Sequence, residues 1–126
     1  MMHKSRLGVI VIDCKGEELN AAAVFWSAAL GFNFDIDPDG KYAVGKNPEG
    51  EPRILLQHVS HNSRLHLDIE TNDRDVECAR LEALGAVVIE NCAKGWTVME
   101  APTGHRFCIV SPQRADFSAN ANAWEV

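Results

Sequence analysis

The residues best suited to chemistry are one histidine among alternating carboxylates and three polar or sulfur side chains in apolar surroundings. His66 stands in Leu65-His66-Leu67-Asp68-Ile69-Glu70. Successive side chains of an extended chain point to opposite faces, so His66, Asp68 and Glu70 share one face. An imidazole beside a carboxylate can be oriented as a proton-transfer group. His66 reads equally as a core histidine satisfied by its neighbours. Gln57 ends the run Ile54-Leu55-Leu56-Gln57, where burial demands a partner, a ligand or an exit to water. Cys108, between Phe107 and Ile109, is either an inert buried thiol or a nucleophile. Trp96 opens a strand after Lys94-Gly95 and either packs or stacks on a flat ligand. His58, His61 and Asn62 cluster in a stretch read as a solvated loop. No residue is assigned a catalytic role.

Several chemistries are excluded. No GxxxxGK[ST] loop and no GxGxxG turn offers a phosphate cradle. No Gly-x-Ser-x-Gly elbow supports a serine hydrolase, and the scattered acids form no EF-hand loop. The cysteines, Cys14, Cys78, Cys92 and Cys108, are widely spread without a CxxC, which predicts free thiols in a reducing compartment. The chain of 126 residues carries a net charge of -6, so phosphate backbones and anionic lipid gain little by binding it. No nucleic-acid or membrane partner is expected. The longest apolar stretches, Leu7–Ile12 and Ala21–Leu30, fall short of the roughly 20 residues that span a bilayer. The N-terminal stretch lacks a signal-peptide core, so a cytoplasmic location is expected.

The elements that must position these residues follow from periodicity. Leu7–Ile12 reads as a buried strand. A helix is predicted over Glu17–Leu30, opened by the acids Glu17 and Glu18 and closed by Gly31. Strands follow at Phe32–Ile36, Lys41–Val44 and Arg53–Val59, separated by the turns Pro38-Asp39-Gly40 and Asn47-Pro48-Glu49-Gly50. The order then repeats. Leu65–Glu70 is a strand, and Asp73 caps a helix that runs to about Leu84 before Gly85. Ala86–Glu90, Trp96–Glu100 and Arg106–Val110 are strands. Gln113–Val126 is a tail whose Phe117 and Trp124 are expected to dock on the body or on a second subunit.

Two units of this order, with helices closing on Ala29-Leu30-Gly31-Phe32 and Ala83-Leu84-Gly85-Ala86, resemble the vicinal oxygen chelate superfamily. That group includes glyoxalase I, the bleomycin and fosfomycin resistance proteins and the extradiol dioxygenases. The likeness also rests on Val24-Phe25-Trp26, on Leu65-His66-Leu67-Asp68-Ile69 and on Ala101-Pro102-Thr103-Gly104-His105-Arg106-Phe107-Cys108. It is nearest to the small glyoxalase-like single-domain proteins. The resemblance implies an α+β fold in which two βαβββ modules form a curled, cavity-enclosing mixed sheet. The expected organisation is a single domain, 1–126, with one module at about 6–59, a second at about 64–112 and the tail at 113–126.

The resemblance also implies a metal site with one ligand from each of four strands: His, Glu or Gln, His, and Glu. Carried onto this chain, the positions fall on Val9, Gln57, His66 and Cys108. Val9 cannot ligate, and Cys108 stands where the last carboxylate would. A divalent site generally needs three good protein ligands, so no metal ligand is assigned and no cofactor is expected. The expected function is binding of a small organic molecule, with Gln57, His66, Trp96 and Cys108 as the ligand-binding residues. The alternative is a metal-dependent lyase, isomerase or dioxygenase with an atypical ligand set, which leaves enzymatic activity open. His66→Ala is expected to spare folding and weaken the ligand. The resemblance also implies a homodimer, an expectation that exposed strand edges and the aromatic tail support.

Overall fold

The computed structural model describes residues 2–125. The chain divides into two compact units, one of Ile10–His66, the other joining the residues up to Val9 with those from Leu67 onward. Two strands, β1 (Met2–Lys15) and β5 (Arg64–Thr71), run through both. The element order is strand, helix and three strands, given twice, followed by a short helix and a last strand.

In the unit of Ile10–His66, β1 is followed by α1 (Asn20–Leu30), β2 (Phe34–Ile36), β3 (Tyr42–Gly45) and β4 (Arg53–Val59). The strands lie in the order β2-β3-β4-β1. Antiparallel register sets Tyr42 opposite Gln57 and Ala43 opposite Leu56. Period two then sorts the side chains. Ala43 and Leu56 join Ile12, Leu19, Ala23 and Phe34 in a buried cluster against α1. Tyr42, Val44, Leu55 and Gln57 fall on the other face. Gly45 is required by this packing, because a Cβ there would stand 2.9 Å from Ile54 O and from the Phe32 ring.

The other unit adds α2 (Arg74–Ala83), β6 (Val87–Cys92), β7 (Trp96–Glu100), β8 (Arg106–Val110), α3 (Phe117–Asn120) and β9 (Asn122–Glu125). Its strand order is β1-β5-β8-β7-β6, with β9 on β1. β5 and β8 are parallel, Asp68 opposite Cys108, which requires a crossover such as the one α2 supplies. Asp73 caps that helix as expected, its Oδ1 accepting Val76 N–H at 3.1 Å. Met99, Ile109, Cys78 and Ala86 form the buried cluster beneath it.

Three features differ from the sequence expectations. β1 extends from Met2 to Lys15 rather than covering only Leu7–Ile12. Its added residues His3, Ser5 and Asp13 are polar yet buried, so their types hide the strand pattern. α1 starts at Asn20 and has no acid in its first turn; buried Leu19 takes the cap position that Glu17 and Glu18 were expected to open. The tail is ordered structure, with β9 pairing β1 from Met2↔Glu125 to Ser5↔Asn122 and Phe117 buried. No helix among the described residues is long and apolar enough to cross a membrane.

Candidate functional site

β1 carries Asp13 into a position where the chain is almost closed to water, with 2% of the residue exposed. Its Oδ2 accepts a hydrogen bond from His66 Nδ1 at 2.9 Å. Arg64 Nε lies 3.6 Å from the same oxygen, on a side chain that is 54% exposed. The other oxygen, Oδ1, has no hydrogen-bond partner among the described residues. A carboxylate at Nδ1 fixes the imidazole tautomer. The Nδ1 proton points to Asp13, so base or ligand chemistry of the ring runs through Nε2.

His66 is half-buried on β5, and Asp68 follows it on the same strand face. Cys108 stands opposite Asp68 on the neighbouring β8. One ligand atom from each of His66, Asp68 and Cys108 lies within 4.8 Å of the others. The set offers one imidazole nitrogen, one carboxylate oxygen and one sulfur. That mixture suits a borderline-soft ion such as zinc better than the all-oxygen set preferred by magnesium or calcium. The carboxylate behind the imidazole is the usual outer partner of a metal-bound histidine.

Glu70, next on that face, does different work. It is fully buried and accepts from Arg6 Nε at 2.7 Å, from Gln113 N–H at 2.6 Å and from Arg114 Nε at 3.2 Å. It clasps the segment leading into α3. Gly8 leaves room for it, since a Cβ there would meet Glu70 Cβ and Cγ at 2.9 Å.

Gln57 and Trp96 lie on other strands. Gln57 is half-buried on β4, and its Nε2 donates to Tyr42 Oη at 3.4 Å. Trp96 is half-buried at the start of β7. The register of Val98 opposite Cys108 puts Trp96 on the strand face that carries Cys108. Val9 is buried and apolar. His58 lies on β4 rather than in the expected loop, because the strand runs on to Val59, and its bond reaches 42 residues along the chain. His58 Nε2 meets Gly16 O, and His61 Nδ1 meets Asn62 O at 2.8 Å. All four cysteines are free thiols. Burial, reinforced by the adjacent Asp13 charge, pushes the Cys14 thiol above its ordinary value. Burial pushes Cys78 the same way.

Asp68 stands in the sequence expectations only as a companion of His66, and Asp13 does not stand in them. Its signal was a lone carboxylate continuing the alternation of a long strand.

The family described as a glyoxalase-like domain matches residues 9–110. This chain belongs to that family. The glyoxalase-like domain is part of the vicinal oxygen chelate superfamily, and the α+β fold of repeated βαβββ order is its fold. Among solved structures, the domain is similar to methylmalonyl-CoA epimerase from Mycobacterium tuberculosis at 17% identity and a TM-score of 0.62, over 90% of this chain and 91% of that one. It is similar to a hypothetical protein from Bacillus halodurans at 13% identity and a TM-score of 0.61, over 87% and 96% of the two chains. A variant of homoprotocatechuate 2,3-dioxygenase from B. fuscum matches at 14% identity and a TM-score of 0.59, over 86% of this chain and 33% of that one. At these identities the likeness is one of fold. No curated protein matches the glyoxalase-like chain.

Proposed function

We propose that this glyoxalase-like domain binds a small organic molecule, with His66 as the polar centre that orients it. The observation that carries the reading is the Asp13–His66 hydrogen bond, which spends a buried carboxylate on holding one imidazole in one tautomer. Such an arrangement fixes a hydrogen-bonding or proton-accepting nitrogen in direction as well as in charge. Gln57, Trp96 and Cys108 are the other members of the proposed ligand-binding set, offering an amide, an aromatic face and a thiol. Small-molecule sites have this make-up, apolar walls with a few placed polar groups. Four free thiols fit a cytoplasmic, reducing location.

The test is a thermal-shift screen with a panel of small organic acids, amides and aromatics. Binding at 100 times the dissociation constant adds about 2.7 kcal/mol to folding stability. Hits should stabilise the native chain and lose that effect in His66→Asn, which retains an N–H donor to Asp13 but deletes Nε2. Equal stabilisation of both chains refutes the assignment.

A second reading is favoured by the clustering of His66, Asp68 and Cys108 within 4.8 Å. These residues would hold a divalent ion, zinc by donor type, in a metal-dependent lyase, isomerase or dioxygenase. The ion would supply Lewis-acid polarisation of a bound carbonyl or hydroxyl. Asp13 would then orient the ligating imidazole. Metal analysis of chain purified without chelator separates the readings. One equivalent of zinc, lost in Asp68→Asn, supports the second, and its absence after loading supports the first.

A further inference from the structure

β9 carries a single side chain that turns inward. Asn122, Ala123 and Glu125 are exposed, and Trp124 is partly buried. Residue pairs from Met2↔Glu125 to Ser5↔Asn122 join the strand to β1. So short an antiparallel pairing is marginal without side-chain packing. Trp124 supplies that packing. Its ring lies 4.1 Å beneath the Arg80 guanidinium, and its Nε1 donates to Ser5 Oγ at 2.8 Å. Hydrogen-bond direction then fixes the rest of the cluster. An indole nitrogen and a guanidinium only donate. Ser5 Oγ therefore accepts from Trp124, and its own hydrogen goes to Glu77. Arg80 donates to both Glu77 oxygens, Nε at 2.8 Å and Nη2 at 2.9 Å. His3 Nε2 lies 2.7 Å from Glu77 Oε1. The buried His3 Nδ1 has no partner among the described residues, so the ring carries its donating hydrogen on Nε2. Arg80, His3 and Ser5 thus aim hydrogens at one fully buried carboxylate, and only its ionised form accepts them all.

We propose that β9 is a proton-released strap, held on β1 while Glu77 is ionised and freed when Glu77 takes up a proton. A proton on Glu77 adds a donor where His3, Ser5 and Arg80 already point, so one of them turns away. It also removes the counter-charge of Arg80, whose side chain is 18% exposed. A guanidinium so enclosed and without a carboxylate moves to water. The Trp124 ring then loses the cation above it. Both contacts of Trp124 therefore depend on one charge. Among the described residues, the titratable and charged groups that face Glu77 are His3 from β1 and Arg80 from its own helix, and Trp124 of β9 reaches it through Ser5 and Arg80. The strap in turn orders the donors. Trp124 roofs Arg80, and it occupies Ser5 Oγ so that the hydroxyl hydrogen faces Glu77. Burial raises the Glu77 carboxyl, but the bonds from Arg80, His3 and Ser5 outweigh it and hold the group below its ordinary 4.5. With the strap open, Arg80 and Ser5 turn to water and the carboxyl returns towards that ordinary value. Closure is therefore fully favoured above about pH 4.5 and is lost as pH falls through the depressed value. Release bares the N–H and C=O groups of Met2–Ser5 as an open strand edge.

Hydrogen exchange followed by NMR from about pH 6 to about pH 3 tests this, read as protection factors of the β9 amides, of the Trp124 indole N–H, and of Met99 and Ile109 in the buried cluster. The strap should be less protected than the cluster throughout. Its protection should fall about tenfold per pH unit below about pH 4.5. Trp124→Leu keeps an apolar side chain but neither contact, so its strand should be about tenfold less protected at about pH 6 and should lose the pH slope. His3→Gln still donates to Glu77 and cannot titrate, so the slope should remain. Equal protection of strap and cluster at every pH overturns the proposal, as does a strap protection that stays flat or rises towards acid. A slope that survives Trp124→Leu overturns it by cutting the link through Trp124. A slope that vanishes in His3→Gln overturns it by placing the proton on His3.

Discussion

The Asp13–His66 pair predicts a specific failure of additivity. Removing the imidazole deletes a hydrogen bond to a charged group, about 1.5–3 kcal/mol. Among the described residues it also leaves Asp13, 2% exposed, with the solvent-facing Arg64 at 3.6 Å and one oxygen without a partner. Breaking a buried pair by removing one member costs about 3–5 kcal/mol, reduced here because water can enter the space the ring leaves. His66→Ala should therefore lose about 2–4 kcal/mol, contrary to the sequence-based expectation that it spares folding. Asp13→Asn keeps an acceptor for Nδ1–H and should lose about 1–2 kcal/mol. In the double variant no charge is stranded, so the loss should fall short of the sum by about 1–2 kcal/mol. Urea unfolding of the four chains at pH 7, followed by far-UV circular dichroism, measures each term. Additivity within about 0.5 kcal/mol would refute the claim that Asp13 is held for the sake of this imidazole.

Two further predictions concern the framework. Burial pushes the Glu77 carboxyl up, but hydrogen bonds from Arg80, His3 and Ser5 outweigh it and hold it below its ordinary value of 4.5. A depressed folded pKa means stability that is complete above the unfolded value and lost as pH falls through the folded one. Unfolding free energy should thus decline below about pH 4.5, and Glu77→Gln should flatten that limb while lowering stability at neutral pH. Gly8→Ala should cost about 1–3 kcal/mol, read as a lowered urea midpoint, because its Cβ would press on a Glu70 that is fixed by Arg6, Arg114 and Gln113. An unchanged midpoint would mean that Glu70 can shift without loss.

The polar network around the tail shows why part of this protein was illegible in its sequence. His3 Nε2 pairs with Glu77 at 2.7 Å, and Arg80 forks onto the same carboxylate. The Arg80 guanidinium lies 4.1 Å over the Trp124 ring, whose Nε1 donates to Ser5 at 2.8 Å. His3 and Glu77 stand 74 positions apart, and Ser5 and Trp124 stand 119 apart. His3, Ser5, Glu77 and Arg80 are surface residues by type, and that hides the first part of β1 and its pairing with β9.

What the sequence determined by itself was the order of elements. Apolar periodicity, Asp73 as a cap and Gly31 as a terminator depend on neighbours three or four residues away, and those are fixed by the chain. Gly31 does take the left-handed conformation, φ 82°, that its position required. The resemblance carried by Ala29-Leu30-Gly31-Phe32 and Leu81-Glu82-Ala83-Leu84-Gly85-Ala86 was legible for the same reason. Only the tertiary structure decided the site. It set Asp13 against His66, 53 residues away, and Cys108 opposite Asp68. A carboxylate on a strand has no local property that distinguishes a solvated end from a buried partner. Strand register makes that distinction, and register is settled by the packing of the whole sheet.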